Sequence, residues 1–527
     1  MKFKKAVVLI MVLLCSPLEE TLCYSETSVP RYGGTLHLGF YTKPTQINPV
    51  LTTQGISMLV MNLVFSRLIR SNEKGEIEKD LAESWSLSED EKVYTFFLKK
   101  NIRFHDGVEL TAEDAQFTYQ SILDPKNSSP YAAYYSLVDK LEVVDKYTFR
   151  ITLKEPQPSF LSELEREIMP KHLYSEEGSI MHSPHNYAPI GSGPFRFKEW
   201  RADDSIVLAA NTAYADHRPY LDEIIITPYP DAEALWDDFM KQKIDVNLFL
   251  SPKNYLWTAK DPAFKTFFHP ITFCYNIAYN FESKVSSNLV ARQAIAYGVN
   301  KKEIIEKIEK GFGEEANGPF LKSSWAYDPN IPLFVYDPEK SRALLQQAGW
   351  SEDKKGMFVK DGQPLEFKLL VDARNEKDQK IAMVLRQQLS QIGVLLKVML
   401  YDNNASFEEL EKNADAWLYF NIGGLDPNQM VKTYHSKQTT KDKKWVLNSF
   451  TAKVDSLIEL GRMTTDQEKR REIYHALHDL VYADQLRLCL YFPYTFHAAR
   501  KNLHNINLFL NENMPTYLLK EVYLEDN

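Results

Sequence analysis

"APIGSGPFRFKEW" runs from Ala188 to Trp200 and sets two glycines and a proline directly before an alternating run. Phe195, Phe197 and Glu199 share one face of a strand, because successive side chains in a strand point to opposite sides. Gly191 and Gly193 permit positive φ, and Pro194 stiffens the entry into the strand. No phosphate-binding lysine lies within the stretch and no general base follows it. It therefore reads as a tight crossing between two folding units. Asp203-Asp204 forms the next turn, and "SIVLAAN" (Ser205–Asn211) is the returning strand.

Working outward, strands and helices are mixed along the whole chain. "TLHLGFY" (Thr35–Tyr41) puts Leu36, Leu38 and Phe40 on one face of a strand. "VYTFFLKKNIRFHDG" (Val93–Gly107) predicts two strands with Asp106-Gly107 as a turn. "LTAEDAQFTYQSIL" opens a helix, with Thr111 as N-cap and Asp114 completing a capping box. "YTFRITL" (Tyr147–Leu153) alternates as a strand. "YDPEKSRALLQQAGW" carries Asp337 as N-cap, Pro338 at the first helical position and Gly349 past the end. "KIAMVLRQQLSQIG" lines up Ile381, Val384, Leu385, Leu389 and Ile392 in one stripe stopped by Gly393. "VLLKVMLY" follows as a strand. "DQEKRREIYHALHDLVYAD" is a further amphipathic helix leading into "LRLCLYFP". Helices placed between strands predict α/β lobes.

The amino terminus is a leader. Lys2, Lys4 and Lys5 precede the apolar run Ala6–Leu14, which is too short for a membrane helix of about 20 residues. Residues 1–25 are assigned to this signal, with cleavage near Cys23. A lipid anchor on Cys15 or Cys23 stays open, although Leu14 and Leu22 stand where such signals prefer a small residue. The 527 residues predict two to four domains. The net charge is −9; residues 1–23 carry three lysines and two glutamates, so their removal leaves −9 − 3 + 2 = −10. An acidic chain without basic clusters argues against nucleic acid. Cys274 and Cys489 remain after removal of the leader; one bridge or two free thiols are both open.

Catalytic spacings are few. G-x-S-x-G, H-E-x-x-H, the P-loop pattern and C-x-x-C are all absent from the sequence. His475 and His478 lie three apart on a helix, and His182 and His185 flank Ser183-Pro184. Both pairs read as ordinary helix or loop histidines, since no third metal ligand is evident. No enzyme activity, metal or cofactor is expected.

Taken together, the segments resemble a family. "LAESWSLSEDEKVYTFFLKKNIRFHDGVELTAEDAQFTYQSILDP" (Leu81–Pro125) is similar to the signature region of extracellular solute-binding proteins of the peptide/nickel class, family 5. "APIGSGPFRFKEW", "NLVARQAIAYGVNKKEII", "YDPEKSRALLQQAGW" and the stretch from Asp466 to Pro493 resemble the same family. The resemblance implies an α/β, two-lobed periplasmic-binding-protein-like fold (type II, cluster C) with an additional subdomain inserted in the first lobe. Lobe I would take 26–58, 188–271 and 490–527, the subdomain 59–187 and lobe II 272–489. Two crossovers would join the lobes, and "GSGP" would be where the chain returns to the first lobe. The implied function is the substrate-binding component of an ABC transporter: a periplasmic monomer that binds oligopeptides between its lobes and passes them to a membrane-embedded permease. Another cargo on the same fold (a metal chelate, haem or a cell-wall peptide) and a secreted hydrolase are the alternatives.

The resemblance also nominates ligand-binding residues. "SSPYAAYYSL" (Ser128–Leu137) looks most like oligopeptide-binding members, which makes Tyr131 and Tyr134 candidates. "FCYNIAYN" (Phe273–Asn280) resembles the strand leaving the hinge, which adds Cys274, Tyr275 and Asn276. Tyr41, closing the first strand, joins them. Such members usually carry an acidic residue before the "DP" of lobe II to pair with the peptide amine. In "DAWLYFNIGGLDPNQ" (Asp415–Gln429) that position falls on Gly423, and Trp417 stands where an arginine can meet the carboxylate. Two charged anchors are thus missing. Lys43 and Lys377 are offered for the carboxylate, with Trp417, Tyr419 and Phe420 as apolar surface for a side chain.

Overall fold

β1 (Thr35–Phe40) buries Leu36 and Leu38 as its alternation requires, and leads to α1 (Gly55–Val64). In the computed structural model the described residues are 30–72, 76–157, 160–175, 180–422, 427–431, 434–435, 452–464, 466–509 and 515–525. Residues 1–29, which hold the expected leader with Cys15 and Cys23, and Gly423 lie outside them. After α1 the chain builds a separate antiparallel sheet from β2 (Ala82–Leu87), β3 (Val93–Leu98), β4 (Val138–Asp145) and β5 (Thr148–Leu153), in the order β2-β3-β5-β4. Its helix α2 (Ala112–Leu123) starts at Thr111, whose backbone N–H donates to Asp114 Oδ2 at 2.8 Å in the expected capping box. This sheet has its own core, including Tyr94, Phe96, Tyr119, Phe149 and Ile151. The second strand expected before Asp106-Gly107 does not form. Only an isolated bridge, Arg103 to Glu109, closes that loop, and Gly107 takes φ +92° in the turn.

The chain then enters β6 (Phe195–Trp200), β7 (Ile206–Ala210), β8 (Glu223–Pro228), β9 (Val246–Asn247) and β10 (Phe264–Pro270). Next come β11 (Phe273–Tyr279), α3 (Lys301–Glu309), β12 (Gly313–Glu315), α4 (Pro338–Gln347), β13 (Glu366–Asp372), α5 (Glu376–Gln391), β14 (Leu395–Tyr401), β15 (Ala416–Ile422), α6 (Gln467–Ala483) and β16 (Arg487–Arg500). The main path of hydrogen-bonded strands is β14-β13-β15-β11-β16-β9-β1-β8-β7-β6, and β10 and β12 also pair with β16. β16 is shared: Arg487–Tyr491 pair with β11, whereas Tyr494–Arg500 pair with β10. The two halves of the path are the sheets of the two lobes.

Helix chemistry in the second lobe follows the sequence. Asp337 accepts from Lys340 N at 2.9 Å to cap α4, and Gly349 past its end has φ +86°. The stripe Ile381, Val384, Leu385, Leu389 and Ile392 packs against Ile277, Leu369 and Leu418 on one face of the sheet. The other face is covered through Tyr474, Leu477 and Val481 of α6, against Cys274, Ala278 and Trp417. A sheet buried on both faces is what the α/β pattern predicts. Cys274 and Cys489 are buried free thiols.

The glycines of the opening stretch serve a different need from the one expected. Neither Gly191 nor Gly193 has positive φ. They lie against the end of α1, where Gly193 N donates to Val64 O at 2.8 Å. A Cβ on Gly191 would sit 2.1 Å from Val64 O, and one on Gly193 2.6 Å from Leu63 O. His105 ties the second sheet to this crossing, donating its backbone N–H to Gly191 O at 2.8 Å. The constraint is therefore close backbone approach, which only glycine allows.

Two outcomes follow from these contacts. Gly191→Ala forces backbone against backbone and should destabilise by about 2–3 kcal/mol, while Gly107→Ala, with open space around it, should lose only about 1 kcal/mol from its positive φ. Urea unfolding of both variants checks the order, and equal losses would contradict it. The second outcome concerns pH. His478 is fully buried between Asn317 and Asp328, and burial holds its pKa down at about 4. Burial, with His269 beside it, lowers His497 to about 3. Unfolded histidine titrates near 6.5, so between about pH 6.5 and 4 the unfolded chain binds more protons and stability is lost as the pH is lowered. Each histidine contributes about 1.4 kcal/mol per pH unit in that window. His478→Gln should flatten the fall between pH 6.5 and 4.5 in denaturant titrations; an unchanged slope would reject this account.

Candidate functional site

β11 and β15 run antiparallel with Tyr275 opposite Phe420, Asn276 opposite Tyr419 and Ala278 opposite Trp417. Directly opposed residues share a face, so this register sorts the candidates into two groups. Cys274, Asn276, Trp417 and Tyr419 are on the face covered by α6. Tyr275 and Phe420 are on the opposite face. Trp417, Tyr419 and Phe420 therefore cannot form one apolar surface for a single side chain, contrary to the expectation from their spacing.

The α6-side group is packed as core. Cys274, Asn276 and Trp417 are buried. Asn276 Nδ2 donates to Cys274 O at 2.8 Å, and Trp417 Nε1 donates to the Tyr401 hydroxyl at 3.2 Å. Trp417 stacks on Tyr419 with ring centres 4.6 Å apart. Arg487 lies over the rings of Tyr434, at 4.0 Å, and Tyr419, at 5.4 Å.

The other face brings three nominated residues together near the carboxyl end of β13. Tyr275 stacks on Tyr491 at 5.1 Å and lies 6.0 Å from Phe420, which is 42% exposed. Lys377 sits in the first turn of α5, with Nζ 5.8 Å from the centre of the Tyr275 ring. Its ammonium donates to both oxygens of Glu309, at 3.0 and 3.3 Å, and Tyr491 donates its hydroxyl to Glu309 at 2.8 Å. Burial, reinforced by Glu309, pushes the Tyr491 hydroxyl far above its ordinary pKa, so it remains a donor. Lys377 is thus already paired, although its side chain is 41% exposed. Asp378, the next residue, is buried, and burial raises its pKa to about 6, with Asp372 adding to the shift.

The remaining candidates lie in other elements. Tyr41, just past β1, is half-exposed and packs edge-on against Phe249 at 4.3 Å. Lys43 is exposed and pairs with Asp204 at 2.7 Å, so its ammonium is already engaged. Tyr131 is inside the core of the separate sheet, its hydroxyl donated to Thr52 O at 2.5 Å and Arg166 stacked on its ring at 3.8 Å. Tyr134 keeps an exposed ring. Glu309, Asp378 and Tyr491 were not nominated. In the sequence they read as a helix-end acid, a first-turn acid and a strand aromatic, and nothing there shows that Glu309 and Lys377, 68 positions apart, close into an ion pair.

Comparison with known proteins places this geometry in context. The family description "Bacterial extracellular solute-binding proteins, family 5 Middle" matches residues 76–444. The chain is 29% identical to the oligopeptide-binding protein AppA of Bacillus subtilis over 490 residues, covering 90% of this chain and 89% of AppA. It is 27% identical to the heme-binding protein A of Haemophilus influenzae, covering 83% of each. Among solved structures, NikZ of Campylobacter jejuni in complex with Ni(L-His) superimposes with a TM-score of 0.76 at 27% identity, over 93% of this chain and 99% of NikZ. No helix among the described residues is long and apolar enough to cross a membrane. With the family description matching well over half its length, and a two-lobed α/β fold shared with these structures, the chain belongs to the bacterial extracellular solute-binding proteins of family 5, the binding components of ABC importers.

Proposed function

We propose that this protein captures oligopeptides between its lobes and presents them to the permease of an ABC importer. The observation that carries the reading is the likeness to AppA, which extends over 94% of this chain and all of the AppA structure solved with a nonapeptide, at a TM-score of 0.74. The half-exposed ring of Phe420, with Tyr275 and Lys377 beside it, supports a site in lobe II, and Tyr41 on Phe249 supports its counterpart in lobe I.

The mechanism is physical. An extended peptide pairs its backbone with strand edges, an interaction that ignores side-chain identity. Side chains then occupy hydrated pockets, where water adapts to different groups, so specificity is broad. Ligand touches both lobes only when they are shut, and binding therefore shifts the population toward the closed form. The boundaries 26–58, 188–271 and 490–527 for lobe I, 59–187 for the subdomain and 272–489 for lobe II belong to this proposal. So do the exported, monomeric state and the absence of catalysis.

Mass spectrometry of ligand carried through purification tests the cargo. Unmodified peptides are expected; a haem or a metal chelate, as the names of heme-binding protein A and of NikZ with Ni(L-His) suggest for those proteins, would replace the peptide assignment. Saturating peptide at 100 times Kd should add about 2.7 kcal/mol of stability. X-ray scattering should show a smaller radius of gyration with peptide. No change in either quantity would count against closure on peptide.

A further inference from the structure

Asp378 has only 3% of its surface exposed, and among the described residues its Oδ1 has no hydrogen-bond partner. Buried carboxylates normally accept bonds or pair with a cation, because the bare charge is expensive in an apolar setting. The N-cap Asn375 takes the Asp378 backbone N–H at 3.3 Å and does not reach its carboxyl group. Among the described residues, the neighbouring cations are engaged elsewhere. Lys377 holds both oxygens of Glu309, and Arg374 is bound to Asp372, with Nη2 2.6 Å from Oδ2.

Titratable groups of α5 and of four surrounding elements lie within electrostatic reach of Asp378. They are Asp372 of β13, Lys377 of α5 itself, Tyr275 of β11, Tyr491 of β16 and Tyr401 of β14. Glu309 of α3 completes the cluster through Lys377 and Tyr491. Summing charges, Asp372, Asp378 and Glu309 face Lys377 and Arg374, which leaves one negative charge unmatched. The unmatched group is Asp378. The cluster sits where β13 ends and α5 begins, the crevice side of an α/β sheet, and the ring of Tyr275 and the half-exposed Lys377 side chain border it.

We propose that Asp378 is the acidic anchor of the ligand site: it receives the positively charged amine of a bound peptide at the carboxyl end of β13. This rests on the peptide reading above and adds the group that recognises one peptide end. It supplies the partner that the expected position, Gly423, lacks. The amine would take up the cluster's surplus negative charge beside the Tyr275 ring, in the way Lys377 already satisfies Glu309. The helix amino terminus of α5 does not compete, since it favours the carboxylate and not the amine.

The raised pKa of Asp378, about 6, sets the pH dependence. Above that value the group is ionised and ready for a cation. Below it, the proton must leave before the amine binds. An arriving ammonium lowers the carboxyl pKa, so binding near pH 6 should release a proton.

Calorimetry with one peptide, free at its amine or acetylated, tests the proposal on the full-length mature protein. For the wild type, the free-amine peptide should bind at least tenfold more tightly than the acetylated form at pH 7.5. The preference should shrink at pH 5. Asp378→Asn, nearly isosteric, should cut affinity for the free amine about tenfold and leave the acetylated peptide within about threefold. Titrations of the wild type in two buffers of different ionisation enthalpy should show proton release at pH 6, a readout that does not depend on the variant folding. If the wild type binds both peptides equally, or Asp378→Asn lowers both affinities alike, Asp378 is not the anchor and peptide binding still stands. If the wild type binds neither peptide, the peptide reading falls, and this inference with it.

Discussion

One long strand carries the architecture. Residues 487–500 pair first with the strand that opens lobe II and then with the strand that closes lobe I. Between those halves β16 changes partner, and Phe492 and Pro493 lie opposite Glu314 and Gly313 of β12. Pro270 and Pro493 have no N–H to donate, and Ile271 N to Pro493 O, at 3.1 Å, is the bond at the switch. Proline interrupts a ladder because it removes a donor. The change of partner therefore falls at one point of β16, and the ladders on either side of it belong to different cores.

The separate antiparallel sheet depends on a second close fit. The chain returns from it through Gly191 and Gly193, which lie directly on the carbonyls ending α1. His105 bonds to both sides of that crossing: its backbone donates to Gly191 O, and its Nε2 is 3.0 Å from Gly193 O. Burial lowers the His105 pKa to about 4, so the ring stays neutral and Nε2 donates its hydrogen. The crossing is a packing device, and its residue choices answer to shape more than to chemistry.

The Glu309–Lys377 cluster of lobe II shows how charged groups are assembled inside such a frame. Strand pairing sets Tyr275 on Tyr491, Tyr491 points its hydroxyl at Glu309, and Glu309 holds Lys377. Glu309 and Tyr491 are buried with partners, and Lys377 closes the network from its half-exposed edge, which is how polar networks become rigid. Asp378 is outside this chain of partners. Its place beside a satisfied network, and not within it, distinguishes it from the structural acids of the same lobe, such as Asp415, which accepts from Lys368 N at 2.7 Å.

Local sequence determined the elements wherever periodicity and capping agreed. Thr111 with Asp114, Asp337 with Pro338, and the apolar stripe ended by Gly393 all specify their helices through neighbours a few residues away. The family likeness carried by Leu81–Pro125 and the glycine turn was likewise legible, because its motifs are contiguous. Short-range patterns failed where the competing interaction was distant. Ile102–Phe104 has strand composition but no partner strand, so only one bridge forms. Gly191 looks like a turn glycine, yet its constraint is a helix end 127 residues earlier, at Val64. Tyr131 looked like a ligand contact, whereas its hydroxyl is held by Thr52, 79 residues away. Trp417, Tyr419 and Phe420 are close in sequence, but pairing with β11 puts Trp417 and Tyr419 on one face of the sheet and Phe420 on the other. Sequence thus determined which segments become helix or strand and to which family they belong. Tertiary structure alone decided which side chains meet, because charges such as those of Glu309, Lys377 and Asp378 come together only after strand register and helix packing have been fixed.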